Sequence, residues 1–131
     1  MLRTYSKNIS GTANNPIVFN TNKILTNKSV SHSAGSSNIS INTPGYYAVT
    51  LDSSLTIGTT GTVSLQLFAD GVAIPDAIFT INSTAGEYSA ATFSTIIKAT
   101  PGSTGQFVNL TVVPTADITI SNIDLGINRL A

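Results

Sequence analysis

The chain has 131 residues, of which 41% are hydrophobic, and this length and apolar content suit a single domain with one core. Six Lys and Arg residues balance six Asp and Glu residues, so no net charge is available to attract nucleic acid or an anionic membrane surface. The chain contains no cysteine, which excludes disulfides, thiolate metal sites and cysteine nucleophiles.

The composition favours an all-β protein. Ser, Thr and Asn occupy 47 positions, Ile occurs 15 times and Val 8 times, whereas only 9% of the residues are charged. β-Branched residues pack well on a pleated sheet, and Ser and Asn favour turns over helices. No apolar run is long enough for a membrane-spanning helix, and the first residues lack the apolar core of a signal peptide. We therefore expect synthesis in the cytoplasm without a signal peptide and no membrane partner.

Residues 1–15 contain Gly11 and an Asn-Asn-Pro break, and we predict an N-terminal arm or tether there, next to a single domain over 16–131. The arm is expected to dock through Leu2, Tyr5 and Ile9. The first elements of the domain are short strands, and the last of them alternates with period two, as a half-buried strand does. These segments are Ile17–Phe19, Ile24–Leu25, an edge strand at Val30, and Ile39–Ile41.

The middle of the chain predicts two longer strands and a hairpin. Pro44 and Gly45 mark a turn before the long strand Tyr46–Leu51, whose apolar pattern leaves open an extension through Leu55 and Ile57. A second alternating strand ends at Asp70-Gly71, a sequence typical of a type I′ hairpin turn. The returning strand is expected to stop at Pro75, because proline removes a ladder hydrogen bond.

The rest of the chain continues the β pattern. Further strands are predicted over 78–81, 88–97, 107–113 and 118–130. Between Ile120 and Ile123 the apolar alternation slips by one residue, which indicates a β-bulge. Eight to ten short strands without a helical pattern are typical of a sandwich, jelly roll or barrel.

Two motifs resemble elements of complement C1q-like and tumour-necrosis-factor-like domains. Gly45 and Tyr47 match the first and third positions of a Gly-x-Tyr-x-Phe element, in which Val49 replaces Phe. A second element, Gly-Asp-x-Val-x-Leu, is matched at 105, 108 and 110, with Gln106 in place of Asp. The final strand, with its internal Gly126, is similar in character to the last strand of the family. The resemblance covers residues 16–131.

The resemblance implies an antiparallel jelly-roll β-sandwich of 8–10 strands that forms a homotrimer. The replaced Phe and Asp favour a viral or bacterial branch over a vertebrate one. Tyr46 and Tyr47 are adjacent and must point to opposite faces of a strand, and the resemblance makes Tyr47 the inward or axis-facing residue. The residues expected at the trimer interface are Tyr47, Phe68, Phe107 and Ile127.

The sequence contains no organised catalytic motif. His32 is the only histidine, and its serine-rich surroundings predict a solvated loop residue without the fixed geometry of a general base. No motif pairs two of the carboxylates as glycoside hydrolysis requires, although Asp76 and Asp124 remain candidate Ca²⁺ ligands. We therefore expect no enzymatic activity and no cofactor.

Two functions follow from these observations. The first is a non-enzymatic structural or attachment module: a trimeric head or decoration protein of a phage virion or bacterial surface assembly, tethered to other virion or fibre proteins through residues 1–15. The alternative is a receptor-binding head that recognises host cell-surface glycans. Both place the protein on a virion or extracellular surface. The residues expected in ligand-binding loops are Ser31, Ser36, Asn38, Thr59 and Ser83.

Overall fold

The computed structural model describes residues 1–26, 29–100 and 108–131, and within these ranges the chain folds into ten strands. No helix in these ranges has the length and apolar character needed to cross a membrane. The strands are β1 (Leu2–Gly11), β2 (Thr21–Leu25), β3 (Val30–Ser31), β4 (Ile39–Ile41), β5 (Gly45–Ile57), β6 (Gly61–Ala69), β7 (Val72–Ser83), β8 (Glu87–Ala99), β9 (Val108–Pro114) and β10 (Ile118–Arg129).

The strands form two five-stranded antiparallel sheets that pack as a sandwich. The first sheet has the order β2-β1-β10-β5-β8, and the second has the order β3-β4-β9-β6-β7. Strands β7 and β8 follow each other in the chain and lie at the same side of the sandwich, each as the edge of its sheet. This arrangement confirms the predicted all-β jelly-roll sandwich.

The predicted N-terminal arm is wrong, because residues 2–11 form β1 inside the first sheet. This strand pairs with β10 from Leu2↔Ile127 to Gly11↔Ile118, and β2 pairs along its other side. Leu2 and Ser6 are fully buried. The apolar signal of β1 is weak because two of its inward residues, Thr4 and Ser6, are polar and donate hydrogen bonds to backbone carbonyls. The structured chain therefore begins before residue 16.

The core lies between the sheets. It is filled by the inward-facing residues, which alternate with outward-facing ones along each strand. Strand β5 shows the pattern best, since every second residue from Tyr47 to Ile57 is buried. Most of these residues are Ile, Val and Leu, whose branched side chains pack on a pleated surface. The largest fully buried side chains are Tyr47, Phe19, Leu2, Ile39, Ile41, Leu51, Leu55, Ile57, Leu65, Leu67, Leu110 and Ile120.

Two local predictions are confirmed and two are corrected. Asp70 and Gly71 both have positive φ, as a type I′ turn requires, and the register of β10 against β5 shifts after Ile120. Pro75 does not end its strand: β7 is an edge strand with a register irregularity there, where the missing N–H is tolerated. The predicted strand at 17–19 is only an isolated bridge, Phe19↔Ser36.

Candidate interaction surface

The outer face of the first sheet carries an apolar patch, which we define as Tyr46, Ala48, Ile96 and Leu130. Ile96 pairs with Ala48 across β8 and β5, and the N–H of Leu130 donates to the carbonyl of Tyr46 at 2.7 Å. Ile96 is 63% exposed, Leu130 51% and Tyr46 47%. These four apolar side chains are neighbours on one exposed face. Their contact with water is unfavourable in free energy, so burial against a partner would stabilise them.

Further exposed apolar side chains lie on β7 and β8, the edge strands at one side of the sandwich. Val72 and Ile78 on β7 and Tyr88 on β8 are exposed there. In the described part of the chain, six of the eight exposed large apolar residues belong to the patch or to these two strands. Ile78 and Tyr88 do not extend the patch, since Ile78 is on the outer face of the second sheet and Tyr88 is eight residues from Ile96 along β8.

The same outer face changes character towards β1 and β2, where charged residues replace apolar ones. A guanidinium nitrogen of Arg3, Nη2, lies 3.1 Å from Oδ2 of Asp124. Arg3 lies close over Gly126, because a Cβ at that position would come within 3.3 Å of Arg3 Nη1 and 3.0 Å of Thr50 Oγ1. The other carboxylate oxygen of Asp124, Oδ1, is buried without a hydrogen-bond partner.

Two lysines border a shallow cavity beside this ion pair. Lys7 and Lys23 line it together with Tyr5, Asn122 and Asp124, and its volume is about 330 Å³. Lys7 Nζ lies 6.0 Å from the centre of the Tyr5 ring, within the range of a cation–π contact. Among the described residues, neither lysine forms an ion pair with a carboxylate.

An acidic residue occupies the opposite side of the sandwich. Asp76 lies on the edge strand β7, exposed to solvent, and its Oδ2 accepts a hydrogen bond of 2.8 Å from Thr95 Oγ1 on β8. No described cation lies within ion-pair distance of it. A charge and a proline on an edge strand both discourage uncontrolled strand pairing.

The residues expected at the trimer interface do not form one surface. Tyr47 and Ile127 are fully buried in the core of the single chain, so their placement at a subunit contact is corrected. Both point inward on central strands, and the Tyr47 hydroxyl donates to the Thr43 carbonyl at 2.6 Å. Phe68 is half-buried on the outer face of the second sheet, and Phe107 lies outside the described residues. The outward residue of the tyrosine pair is Tyr46.

Three of the predicted ligand residues come together. Ser31, Ser36 and Asn38 line a depression of about 250 Å³, together with Leu25, His32, Ser33 and Ser40. The other two lie elsewhere, since Thr59 is in the turn after β5 and Ser83 ends β7, at the far edge of the second sheet from β3. The hydroxyls and amide of the depression can donate and accept hydrogen bonds, as a sugar requires.

His32 is buried, not solvated as expected. Its ring is closed over by the 32–38 segment and stands edge-on to the Phe19 ring at 6.4 Å. Nδ1 lies 2.5 Å from Oδ1 of Asn22, and Nε2 lies 2.8 Å from the carbonyl oxygen of Ser36. Asn22 Nδ2 donates to the His32 carbonyl, which fixes the orientation of the amide. Neither nitrogen contacts a serine hydroxyl, so the arrangement is not a nucleophile–base pair.

The carboxylates do not assemble a metal centre in the described residues, since no three His, Asp or Glu side chains come together there. Asp76 and Asp124 lie on different strands at different places, β7 in one sheet and β10 in the other. Asp70 and Asp117 instead accept backbone hydrogen bonds, from Asn109 and Ala13. The two candidate Ca²⁺ ligands, Asp76 and Asp124, therefore do not belong to one cluster of ligands in the described residues.

No protein-family model matches this chain, and no curated protein matches its sequence. Solved structures nevertheless share its fold. The globular domain of the zebrafish complement 1qA protein superposes with a TM-score of 0.69 at 10% identity, covering 95% of this chain and 94% of that one. The PRD1 vertex protein P5 has a TM-score of 0.65 at 13% identity, with coverages of 99% and 96%. Murine APRIL has a TM-score of 0.64 at 10% identity and coverages of 98% and 98%.

These likenesses confirm the resemblance read from the sequence: the fold is the C1q/TNF-like jelly roll. The apolar patch was missed because no strand pattern marks it. Tyr46, Ile96 and Leu130 are far apart in the sequence, and only the register of β10, β5 and β8 brings them together.

Proposed function

We propose that this chain is a non-enzymatic structural or attachment module that works as a homotrimer in a phage virion or bacterial surface assembly. The observation that carries the proposal is a C1q/TNF-like jelly roll with an apolar patch on the outer face of its first sheet. One protein of similar fold is a vertex protein, which agrees with a place in a virion.

Self-association is supported by the chemistry of the apolar patch. Exposed apolar patches with a polar rim mark interaction sites, and charged residues are depleted at the centres of such interfaces. Here Ile96 pairs with the small side chain of Ala48, and the charged neighbour is Lys98, which pairs with Tyr46 on the edge strand β8. The partner is a second copy of the chain, and the expectation of three copies comes from the resemblance to C1q/TNF-like domains.

The contact with the rest of the assembly is assigned to another surface, because Leu2–Gly11 are paired within the first sheet as β1. The outer face of the second sheet is the best candidate. Phe68 is half-buried there beside Thr111 and Ala73, and Ile78 is exposed on the adjacent strand. This face points away from the apolar patch, so a trimer leaves it accessible.

Sedimentation equilibrium of the wild type and of the variant Ile96→Lys tests the trimer. The wild type is expected at three times the 13.6 kDa mass of one chain. Ile96→Lys places a charge in the apolar patch and should shift the mass towards one chain, whereas Val18→Lys, an exposed apolar residue elsewhere, should not. A monomeric wild type at micromolar concentration would remove the proposal.

A receptor-binding head that recognises host glycans is a second candidate, favoured by the serine-lined depression. Ser31, Ser33, Ser36 and Asn38 present hydroxyl and amide groups around one cavity. Glycan-array binding that is lost in Ser36→Ala and Asn38→Ala, with the trimer intact, would support it. Binding that survives both substitutions would place the glycan elsewhere.

A further inference from the structure

Two exposed side chains of opposite charge lie on opposite sides of the sandwich. Asp76 is on edge strand β7, and Lys23 is on edge strand β2 of the other sheet. Within the described residues, neither forms an ion pair, whereas Arg3 is already bound to Asp124. Each charge is therefore exposed to solvent in the single chain, and the two charges have opposite signs.

The two charges also lie at nearly the same height along the strands. Asp76 bonds to Thr95 on β8, and the cross-strand pairs lead from Thr95 through Val49 and Ile127 to Leu2 on β1. Lys23 is the extra residue of the β2 irregularity, between the partners of Arg3 and Thr4. It therefore lies only one or two residues from the level of Leu2, or about 3–7 Å along the strands.

Lys7 is a natural comparison because it lines the same cavity at a different height. Its cross-strand row runs through Asn122 and Ser54 to Ala90, five residues from Thr95 on β8. At roughly 3.3 Å per residue, Lys7 is about 16 Å away from the level of Asp76. The two lysines thus share the face and the charge but differ in position.

Unlike charges on unlike surfaces of one chain favour a head-to-tail contact, and such contacts close into rings when the rotation permits. A rotation about an axis keeps each residue at its own height along that axis. The β7–β8 edge runs parallel to the strands. If this edge contacts the neighbouring copy over its whole length, the rotation axis of the ring must also be roughly parallel to the strands. Residues of neighbouring copies then meet when their heights match.

We propose that Asp76 of one copy pairs with Lys23 of the next copy and sets the register of the ring. This inference rests on the proposed homotrimer, and it specifies which surface of one copy contacts which surface of the next. The β7–β8 edge then packs against the outer face of the first sheet of the neighbour. Interfacial charge pairs of this kind contribute mainly to register and to the rejection of wrong contacts.

A charge exchange tests the pairing. Asp76→Lys and Lys23→Asp should each raise the concentration at which the trimer dissociates by at least about tenfold, because each brings like charges together. The double variant should restore the trimer to within about threefold of the wild type, a difference below 1 kcal/mol. Lys7→Asp, the matched control, should stay within the same range.

Sedimentation equilibrium over a concentration series measures all four variants, with circular dichroism to show that each is folded. Asp76→Asn keeps a side chain that can accept the Thr95 hydrogen bond and removes only the charge, so it should weaken the trimer less than Asp76→Lys. Single variants that leave the trimer unchanged, a double variant that is not rescued, or equal effects at Lys7 and Lys23 would overturn the pairing while leaving the trimer. A monomeric wild type would overturn both proposals.

Discussion

The placement of β1 inside the first sheet predicts that a small change at the second residue destabilises the whole domain. Leu2 is fully buried, pairs with Ile127 and Leu25, and belongs to the hydrophobic core. Leu2→Ala removes three buried carbon groups, at about 0.8 kcal/mol each, and leaves a cavity that adds to the loss. The expected decrease in the free energy of unfolding is about 3 kcal/mol.

Urea unfolding, followed by circular dichroism at one fixed protein concentration, measures this decrease, since association also contributes to the stability of an oligomer. Lys7→Ala is the control, because Lys7 is exposed on the same strand and should change the free energy by less than about 0.5 kcal/mol. Equal and small effects of the two substitutions would refute the docking of β1 and restore the picture of a free arm.

Three further substitutions test the interior. Tyr47→Phe removes the hydroxyl that donates to the Thr43 carbonyl and should cost about 1 kcal/mol in urea unfolding, and no change would mean that water replaces this bond. His32→Phe removes the ring contacts with Asn22 Oδ1 and the Ser36 carbonyl oxygen, so it should cost about 2 kcal/mol and increase hydrogen exchange over 32–38; unchanged exchange would argue against a closed segment. Gly11→Ala places a Cβ 2.7 Å from Cγ1 of buried Ile118 and should lower the stability by about 1–3 kcal/mol, which a melting curve equal to that of the wild type would contradict.

The local features of the fold were predictable because neighbouring residues produce them. The type I′ turn follows from the positive φ that Asp70-Gly71 accepts, and the bulge in β10 follows from the slip between Ile120 and Ile123. Strand β5 is equally local, since alternate apolar residues must share one face. These signals need no knowledge of the strand partners.

The errors arose where distant contacts decide the structure. A mostly polar segment such as β1 becomes a strand because β10 and β2 lie on its two sides and satisfy its backbone groups. His32 is buried because its ring packs against Phe19 and contacts the carbonyl oxygen of Ser36 in the following loop. The serine residues beside it in the sequence give no sign of these contacts. Pro75 is tolerated because its strand is at an edge.

The candidate surfaces show the same division. By itself, the sequence determined that the chain is β-rich, where most of its turns lie, and that one residue of the Tyr46-Tyr47 pair must face outward, because the alternation of a strand is a property of its backbone. Which distant residues join the outward Tyr46 depended on the register between β5, β8 and β10. Register is decided by the packing of whole sheets, so only the tertiary structure could assemble the apolar patch and set Asp76 level with Lys23.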